Sequence, residues 1–334
     1  MVEAREVLLA GDVGATKTTL ALYGGWPGQP LRRQIYRNAQ YPDFGDVLAA
    51  FLRAGGPQPV NACLGVAGPV VADRVHMTNL DWSIDAGAIG QRFGLRRVRL
   101  INDLVATAVG ALHVPASDLR VLNPGRVPGR AVQAVLAPGS GLGEGFLVPH
   151  GESFLPCGSE GGHASFAPRN DDQLELLAFM RRQQEHVSVE QVCSGLAVPH
   201  LFAFMATRHP VPPWLQDQLR QASDPTPVIL GAAMRAVRGE QPCEVARHTL
   251  GLFLDILADE AANLVLKTLA FGGLFLGGGL AARLDACIDP QRFMAVFCRG
   301  TYRDRLAEVP VRIILNSETA LVGAAAYGAG AVVR

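Results

Sequence analysis

The sequence predicts an α/β protein of two lobes, and three observations carry that prediction. At 334 residues the chain is longer than one hydrophobic core usually serves. Short apolar runs alternate with stretches of helical pattern, as in strand–helix–strand architectures. One local arrangement, a strand, a glycine-rich tip and a returning strand, also occurs twice, once after Val7 and again after Ala131.

The bulk numbers narrow the function classes. Hydrophobic residues make up 49% of the chain and charged ones 18%, enough to bury a large core. Thirty Lys and Arg balance thirty Asp and Glu, so the formal net charge is zero. That argues against nucleic acid or an anionic membrane surface as the main partner. Cys63, Cys157, Cys193, Cys243, Cys287 and Cys298 lie far apart, without zinc spacing, and read as small core residues of a reduced, cytoplasmic protein. Glu3, Arg5 and Glu6 lead straight into a short apolar run, unlike a signal peptide. The longest apolar tract, Ala261 to Ala282, is broken by Lys267 and a glycine cluster, so no membrane span is expected.

The first strand, Val7 to Ala10, leads into Gly11-Asp12-Val13-Gly14-Ala15-Thr16-Lys17, and Leu20 to Tyr23 returns. Small residues, hydroxyls and bare backbone N–H groups at such a tip suit a phosphate. A P-loop is rejected, because Thr16 stands at its second glycine and a strand, not a helix, follows Lys17-Thr18. The alternative is an ordinary glycine-rich turn with a local Asx bond. Asp43 to Leu52 has helical spacing, and Val60 to Val66 reads as a strand ending at Gly68-Pro69. Asn79 could face a polar ligand, Trp82 should pack in the core, and Ile84 to Phe93 reads as a short helix.

The most informative stretch is Arg97 to Leu112. Val98, Leu100 and Ile101 mark a buried strand, and an alanine-rich helix follows, with Asn102 and Asp103 at the junction. Open α/β sheets bind ligands at such C-terminal strand edges. Unsatisfied helical N–H groups there would keep Asp103 ionised and able to accept a proton. The competing reading is that Asn102 or Asp103 only caps the helix.

The second hairpin carries Gly139-Ser140-Gly141-Leu142-Gly143-Glu144 at its tip. A strand follows it, so a dinucleotide fingerprint does not fit. Laying Gly14 on Gly141 aligns the two hairpins, and together they could grip a triphosphate from both sides. Glu160-Gly161-Gly162-His163 places a carboxylate and an imidazole on one loop, able to bond neighbouring hydroxyls. Asp171 to Glu185 reads as an amphipathic helix, Ser188 and Gln191 as a capping box with Glu190 in its first turn, and Ser194 as the start of another helix. His209 to Pro227 reads as loop, and Cys243 to Thr268 as a long buried helix. A strand at Gly272 to Leu276 enters Gly277-Gly278-Gly279, where backbone can closely approach a flat or phosphate-bearing ligand. Val309 to Leu315 and Glu318 to Val332 read as the last strand and helix.

Taken in order, GDVGAT (Gly11 to Thr16), LGVAGP and MTNLDW (Leu64 to Trp82), INDL (Ile101 to Leu104), GSGLG (Gly139 to Gly143), EGGHxxFAP (Glu160 to Pro168), HVSVEQVCSG (His186 to Gly195) and LGGGL (Leu276 to Leu280) resemble the bacterial ATP-dependent glucokinases, in the hexokinase branch of the actin-like ATPase superfamily. The absence of a Cys cluster favours the zinc-free group.

The resemblance implies a two-lobed actin-like ATPase (ribonuclease H-like) fold with a mixed sheet in each lobe and an interlobe cleft. It divides the chain into a small domain, 1–110, completed by helix 317–334, and a large one, 111–316. Glucose and ATP are the implied substrates, with Mg²⁺, and a homodimer is possible. Asp103 would be the catalytic base. Asn79, Asn102, Asp103, Glu160, His163 and Glu190 would meet the sugar. Gly11, Asp12, Gly14, Thr16, Gly139, Ser140 and Gly141 would surround the phosphates, with Asp12 near the metal, and Gly277, Gly278 and Gly279 the adenosine. Ser140 stands where Thr is common, Cys157-Gly158 look like an insertion before Glu160, and Glu144 replaces an apolar residue. A charge beside phosphates would repel them, so Glu144 is expected to point to solvent. A kinase for mannose or an N-acetylhexosamine, or a non-catalytic sugar-sensing regulator, are the rival readings.

Overall fold

A computed structural model of the chain describes residues 6–77, 80–127 and 129–332. The chain folds into two compact units: unit 1 is Met1–Leu119, Gly145–Gly158 and Asn316–Arg334, and unit 2 is Arg120–Glu144 and Ser159–Leu315. The first break falls at Leu119 rather than 110, and unit 1 gains Gly145–Gly158. That segment packs on the helix after Asn102: a Cβ on Gly158 would lie 3.4 Å from Val105 Cγ2, and one on Gly145 3.9 Å from Leu104 Cβ.

Unit 1 is built from β1 (Leu8–Val13), β2 (Lys17–Tyr23), β3 (Arg32–Arg37), α1 (Phe44–Arg53), β4 (Asn61–Val66), β5 (Arg74–His76), β6 (Ser83–Asp85), α2 (Ala86–Phe93), β7 (Arg97–Asn102) and α3 (Asp103–Ala111). Its main sheet runs β3-β2-β1-β4-β7, while β5 and β6 form a separate pair. β1 and β3 lie antiparallel to β2, whereas β1, β4 and β7 are mutually parallel. Alternation assigns the two faces of the sheet. Leu9, Leu20, Leu22 and Leu64 pack with Phe44, Val47, Leu48, Phe51 and Trp82. Leu8, Ala10, Ala21 and Cys63 pack with Ala106, Leu321 and Ala324 on the other face. α1 starts where Asp43 accepts from the Asp46 N–H at 2.8 Å, and α2 ends at Gly94, whose φ of 67° suits glycine.

The helix Thr319–Ala329 completes unit 1 by lying on α3 and β1. It comes close because both helices have glycine at the crossing. A Cβ on Gly110 would lie 2.8 Å from the Thr319 carbonyl carbon, and one on Gly323 2.7 Å from the Ala106 carbonyl carbon.

The second sheet is made of β8 (Leu119–Asn123), β9 (Gln133–Pro138), β10 (Leu142–His150), β11 (Ser153–Ser159), β12 (Gly273–Leu276) and β13 (Val311–Ile314), in the order β11-β10-β9-β12-β13-β8, with β9, β12 and β13 wholly in unit 2. The β10–β11 ribbon runs on into unit 1. β9, β12 and β13 are parallel. The long helix Glu244–Thr268 is the core of the helical part, packed by helices Val198–Ala206, Pro225–Val237 and Pro290–Phe297.

Sequence and structure differ in a few places. The stretch read as loop, His209 to Pro227, contains the helix Pro213–Gln221 and the start of Pro225–Val237. Pro213 and Pro225 each occupy the first helical position, where a missing N–H costs nothing, so they start helices rather than break them. The helix from Asp171 ends at Met180, and the one expected from Ser194 begins at Val198. Among the described residues no helix is long and apolar enough to cross a membrane.

Candidate active site

Three parallel strands of unit 1 end at one edge, and their register puts Val13, Val66 and Asn102 in one row. With strands about 4.8 Å apart, Asp12 and Asp103 leave that edge roughly 10 Å from each other. Asp12 is partly buried, and no protein donor reaches its carboxylate among the described residues. Burial raises its pKa to about 6, with Lys17 opposing and Glu318 adding to the shift. An acceptor-only carboxylate without a donor suits a hydrated Mg²⁺. Among the described residues no cluster of three or more His, Cys, Asp or Glu could hold a metal by itself.

The tip between β1 and β2 closes with Gly14 N donating to Lys17 O at 3.0 Å. Asn38 holds it from behind: its Nδ2 donates to Gly14 O at 2.7 Å and Ala15 O at 3.2 Å, while Thr18 Oγ1 donates to Asn38 Oδ1 at 2.8 Å. Thr16 is left exposed. Nothing in the local pattern marks Asn38, which lies beyond β3. Gly11 is glycine for packing, since its Cβ would come 2.6 Å from Leu64 Cδ2.

Asn102 is the N-cap of α3, its Oδ1 accepting from Leu104 N at 2.9 Å. Its Nδ2 donates to Gly68 O at 3.2 Å, which ties the Gly68-Pro69 turn to the same edge. Asp103 begins the helix, and its Oδ1 also accepts from Leu104 N at 2.9 Å. Capping is therefore real and falls mainly to Asn102, while Asp103 stands partly exposed in the first turn. Asn79 lies outside the described residues.

Unit 2 gathers a second set. Between β9 and β10, Gly139 N donates to Gly141 O at 2.8 Å. Gly195 N donates to Gly139 O at 2.8 Å and Leu196 N to Ser140 O at 3.2 Å, so this tip is held by the turn after Glu190. Glu190 Oε2 accepts from Leu142 N at 2.8 Å and fills the place of a Gly141 Cβ. Glu160 caps a single 3-10 turn, Gly161–His163. His163 lies between two carboxylates, with Nε2 3.8 Å from Glu160 Oε2 and Nδ1 3.8 Å from Glu190 Oε1. Three of the six residues expected at the sugar, Glu160, His163 and Glu190, are thus neighbours. Ser188 and Gln191 make the capping box, at 2.8 and 3.4 Å.

At the third glycine cluster Gly277 N donates to Leu136 O at 2.9 Å. Gly278 has φ 78° and would place a Cβ 2.5 Å from Pro138 O, so its need for glycine is internal. Gly279 has open space at its Cβ. Cys157-Gly158 are absorbed within the regular strand β11.

Glu144 corrects an expectation: it is buried, at 2% exposure, rather than turned to solvent. Its partner, Glu260, lies far along the chain and left no local signal.

Comparison with known proteins follows this geometry. A family model described as Glucokinase matches residues 9–331. The glucokinase of Nostoc punctiforme is 34% identical, covering 96% of this chain and 98% of that protein. The glucokinase of Yersinia pestis is 31% identical, covering 96% and 95%. Among solved structures, a glucokinase from an Antarctic psychrotroph matches with TM-score 0.82 at 31% identity, over 97% of this chain and 98% of that one. A ROK family glucokinase from Streptomyces griseus, in complex with glucose and AMPPNP, shares the fold at TM-score 0.66 and 22% identity, over 96% and 99%.

Proposed function

The chain belongs to the glucokinase family, and we propose that it transfers the γ-phosphoryl group of ATP to the 6-hydroxyl of glucose, giving glucose 6-phosphate and ADP. The observation that carries this reading is the edge of unit 1 where Asp12 and Asp103 emerge from parallel strands, one beside a glycine-tipped hairpin and the other at a helix start. Asp103 orients the sugar hydroxyl and takes its proton. Asn102, Glu160, His163 and Glu190 hold the other hydroxyls, and Asn79 joins them by resemblance. The backbones at Gly14–Thr16 and Gly139–Gly141 receive the phosphates, and the surface at Gly279 receives the adenosine.

Phosphoryl transfer proceeds through a loose transition state, so positioning and charge neutralisation do most of the work. Bound Mg²⁺ supplies charge neutralisation at the phosphates, and Asp12 would hold its water shell. Carboxylate and imidazole groups around a sugar also discriminate, because a misplaced hydroxyl leaves a buried group unpaired. We place the enzyme in the cytoplasm because its six cysteines are spaced as small core residues of a reduced protein rather than as a disulfide framework, and a homodimer is proposed from the family resemblance alone.

ADP release measured with glucose, mannose, N-acetylglucosamine and no sugar tests the reading. Release that depends on glucose is expected. Preference for another sugar would reassign the substrate, and no release with any sugar would leave a sensor. Glu160→Gln should raise the glucose KM by about tenfold or more, the worth of one hydrogen bond to a charged acceptor. An unchanged KM would mean that this carboxylate faces away from the sugar.

A further inference from the structure

We propose that Glu144 is a positioning residue for the sugar loop: its carboxyl, buried against Gly161 and paired with Glu260, holds Glu160 and His163 in place while the pair carries a proton. The proposal rests on the reading of that loop as the sugar site.

Glu144 follows the second phosphate tip on β10, and both its backbone and its side chain meet the loop. Ser159 Oγ donates to Glu144 O at 3.4 Å and accepts from Gly161 N at 3.2 Å. Glu144 Oε2 fills the place of a Gly161 Cβ, while Glu144 Cδ lies 2.7 Å from that same point. The loop therefore rests directly on this carboxyl. The other oxygen, Oε1, is buried with no hydrogen-bond partner among the described residues.

Behind it stands Glu260 of the helix Glu244–Thr268, 4% exposed. Glu260 Oε1 accepts from Lys267 Nζ at 3.1 Å, and Oε2 from Asn263 Nδ2 at 2.9 Å. The Arg299 guanidinium also acts on Glu260 and donates to Asn263 Oδ1 at 2.6 Å. Cys193 is fully buried, and its thiol is held neutral because burial pushes its pKa well above the ordinary value. Both cations stand on the Glu260 side, and none bonds Glu144 among the described residues. Burying Glu144 as an anion beside a second carboxyl is costly, so the pair keeps a proton. Lys267 and Asn263 serve Glu260, which assigns the proton to Glu144, beside the second carboxyl.

Burial and the charge of Glu260 raise the Glu144 pKa to about 7, with Lys267 opposing. Below that pH the pair is joined by a hydrogen bond. Above it two anions face each other, and the part free to yield is the glycine turn rather than the long helix. Gly162 cannot yield alone, because its Cα is packed against the Leu142 backbone, where a Cβ would lie 3.2 Å from the carbonyl carbon. Glu160 and His163 therefore move with it.

The test is the glucose KM from pH 6 to pH 9, with kcat and the ATP KM beside it. In the wild type the glucose KM should rise several-fold through neutral pH while the ATP KM does not follow. Glu144→Gln, which keeps a neutral donor toward Glu260, should abolish the step. Lys267→Met, on a largely solvent-facing side chain, should move it to higher pH, because the opposing positive charge is gone. A step that persists in Glu144→Gln, or that stays in place in Lys267→Met, overturns the proposal. Glu160→Gln assayed alongside separates the two readings. If its glucose KM is unchanged, the sugar loop itself is withdrawn; if it rises while the wild type shows no step, only Glu144 loses its role.

Discussion

Asp103→Asn is expected to lower kcat about a thousandfold, the range of general acid–base catalysis, while glucose still binds. The amide has the shape of the carboxylate, and its oxygen can still accept from Leu104 N, as Asp103 Oδ1 does at 2.9 Å. Asn102 continues to cap the same N–H. α3 should therefore start unchanged, and the loss isolates proton acceptance from helix stability. Glucose titration calorimetry with kcat on the same preparation reads both quantities. Turnover near the wild-type rate would end the base assignment. A melted α3, seen as lost helicity, would show instead that the carboxylate mattered as a cap.

Gly323→Leu is expected to give the largest loss of stability. The Cβ alone would overlap the Ala106 carbonyl oxygen and come 2.7 Å from the Gly110 amide nitrogen. Those are backbone atoms of α3, so no side-chain rotation relieves the clash and the two helices must part. Overpacking in a close-packed interior typically costs about 1–3 kcal/mol, and a rigid backbone neighbour puts this site at the upper end or beyond. Urea unfolding should show a lower midpoint, with activity falling as well, since Asp103 sits at the head of the displaced helix. A midpoint within error of the wild type would mean that the helices are not held as tightly as the glycines indicate.

Much of the site was legible because strand ends announce themselves. An apolar run followed by Asn102-Asp103 and an alanine-rich helix predicts the strand end, the helix and the cap that the structure has there. The two hairpins showed through glycine spacing and through the strand that follows each tip. What stayed hidden depended on partners distant in the chain. Glu144 reads as a solvated charge in the sequence, because Glu260 and Lys267 are remote along the chain. Asn38 reads as an ordinary polar residue until the β1–β2 tip folds onto it. Gly11 and Gly278 read from the sequence as ligand-facing, and what the sequence does not reveal is that close packing to protein atoms also calls for glycine at each. His209 to Pro227 reads as loop, although Pro213 and Pro225 stand in the first turn of helices, where proline is favourable.

The placement of Thr319–Ala329 against α3 and β1 also orders events during synthesis. Ribosomes deliver residues from the amino end, so every residue of unit 2 has been made before the helix that covers one face of the Asp12 sheet. The middle of the chain can settle first, whereas the opening strands wait with Leu8, Ala10 and Cys63 uncovered. A nascent chain stalled before residue 319 would leave an apolar sheet face available to chaperones, and that vulnerability closes only with the last helix.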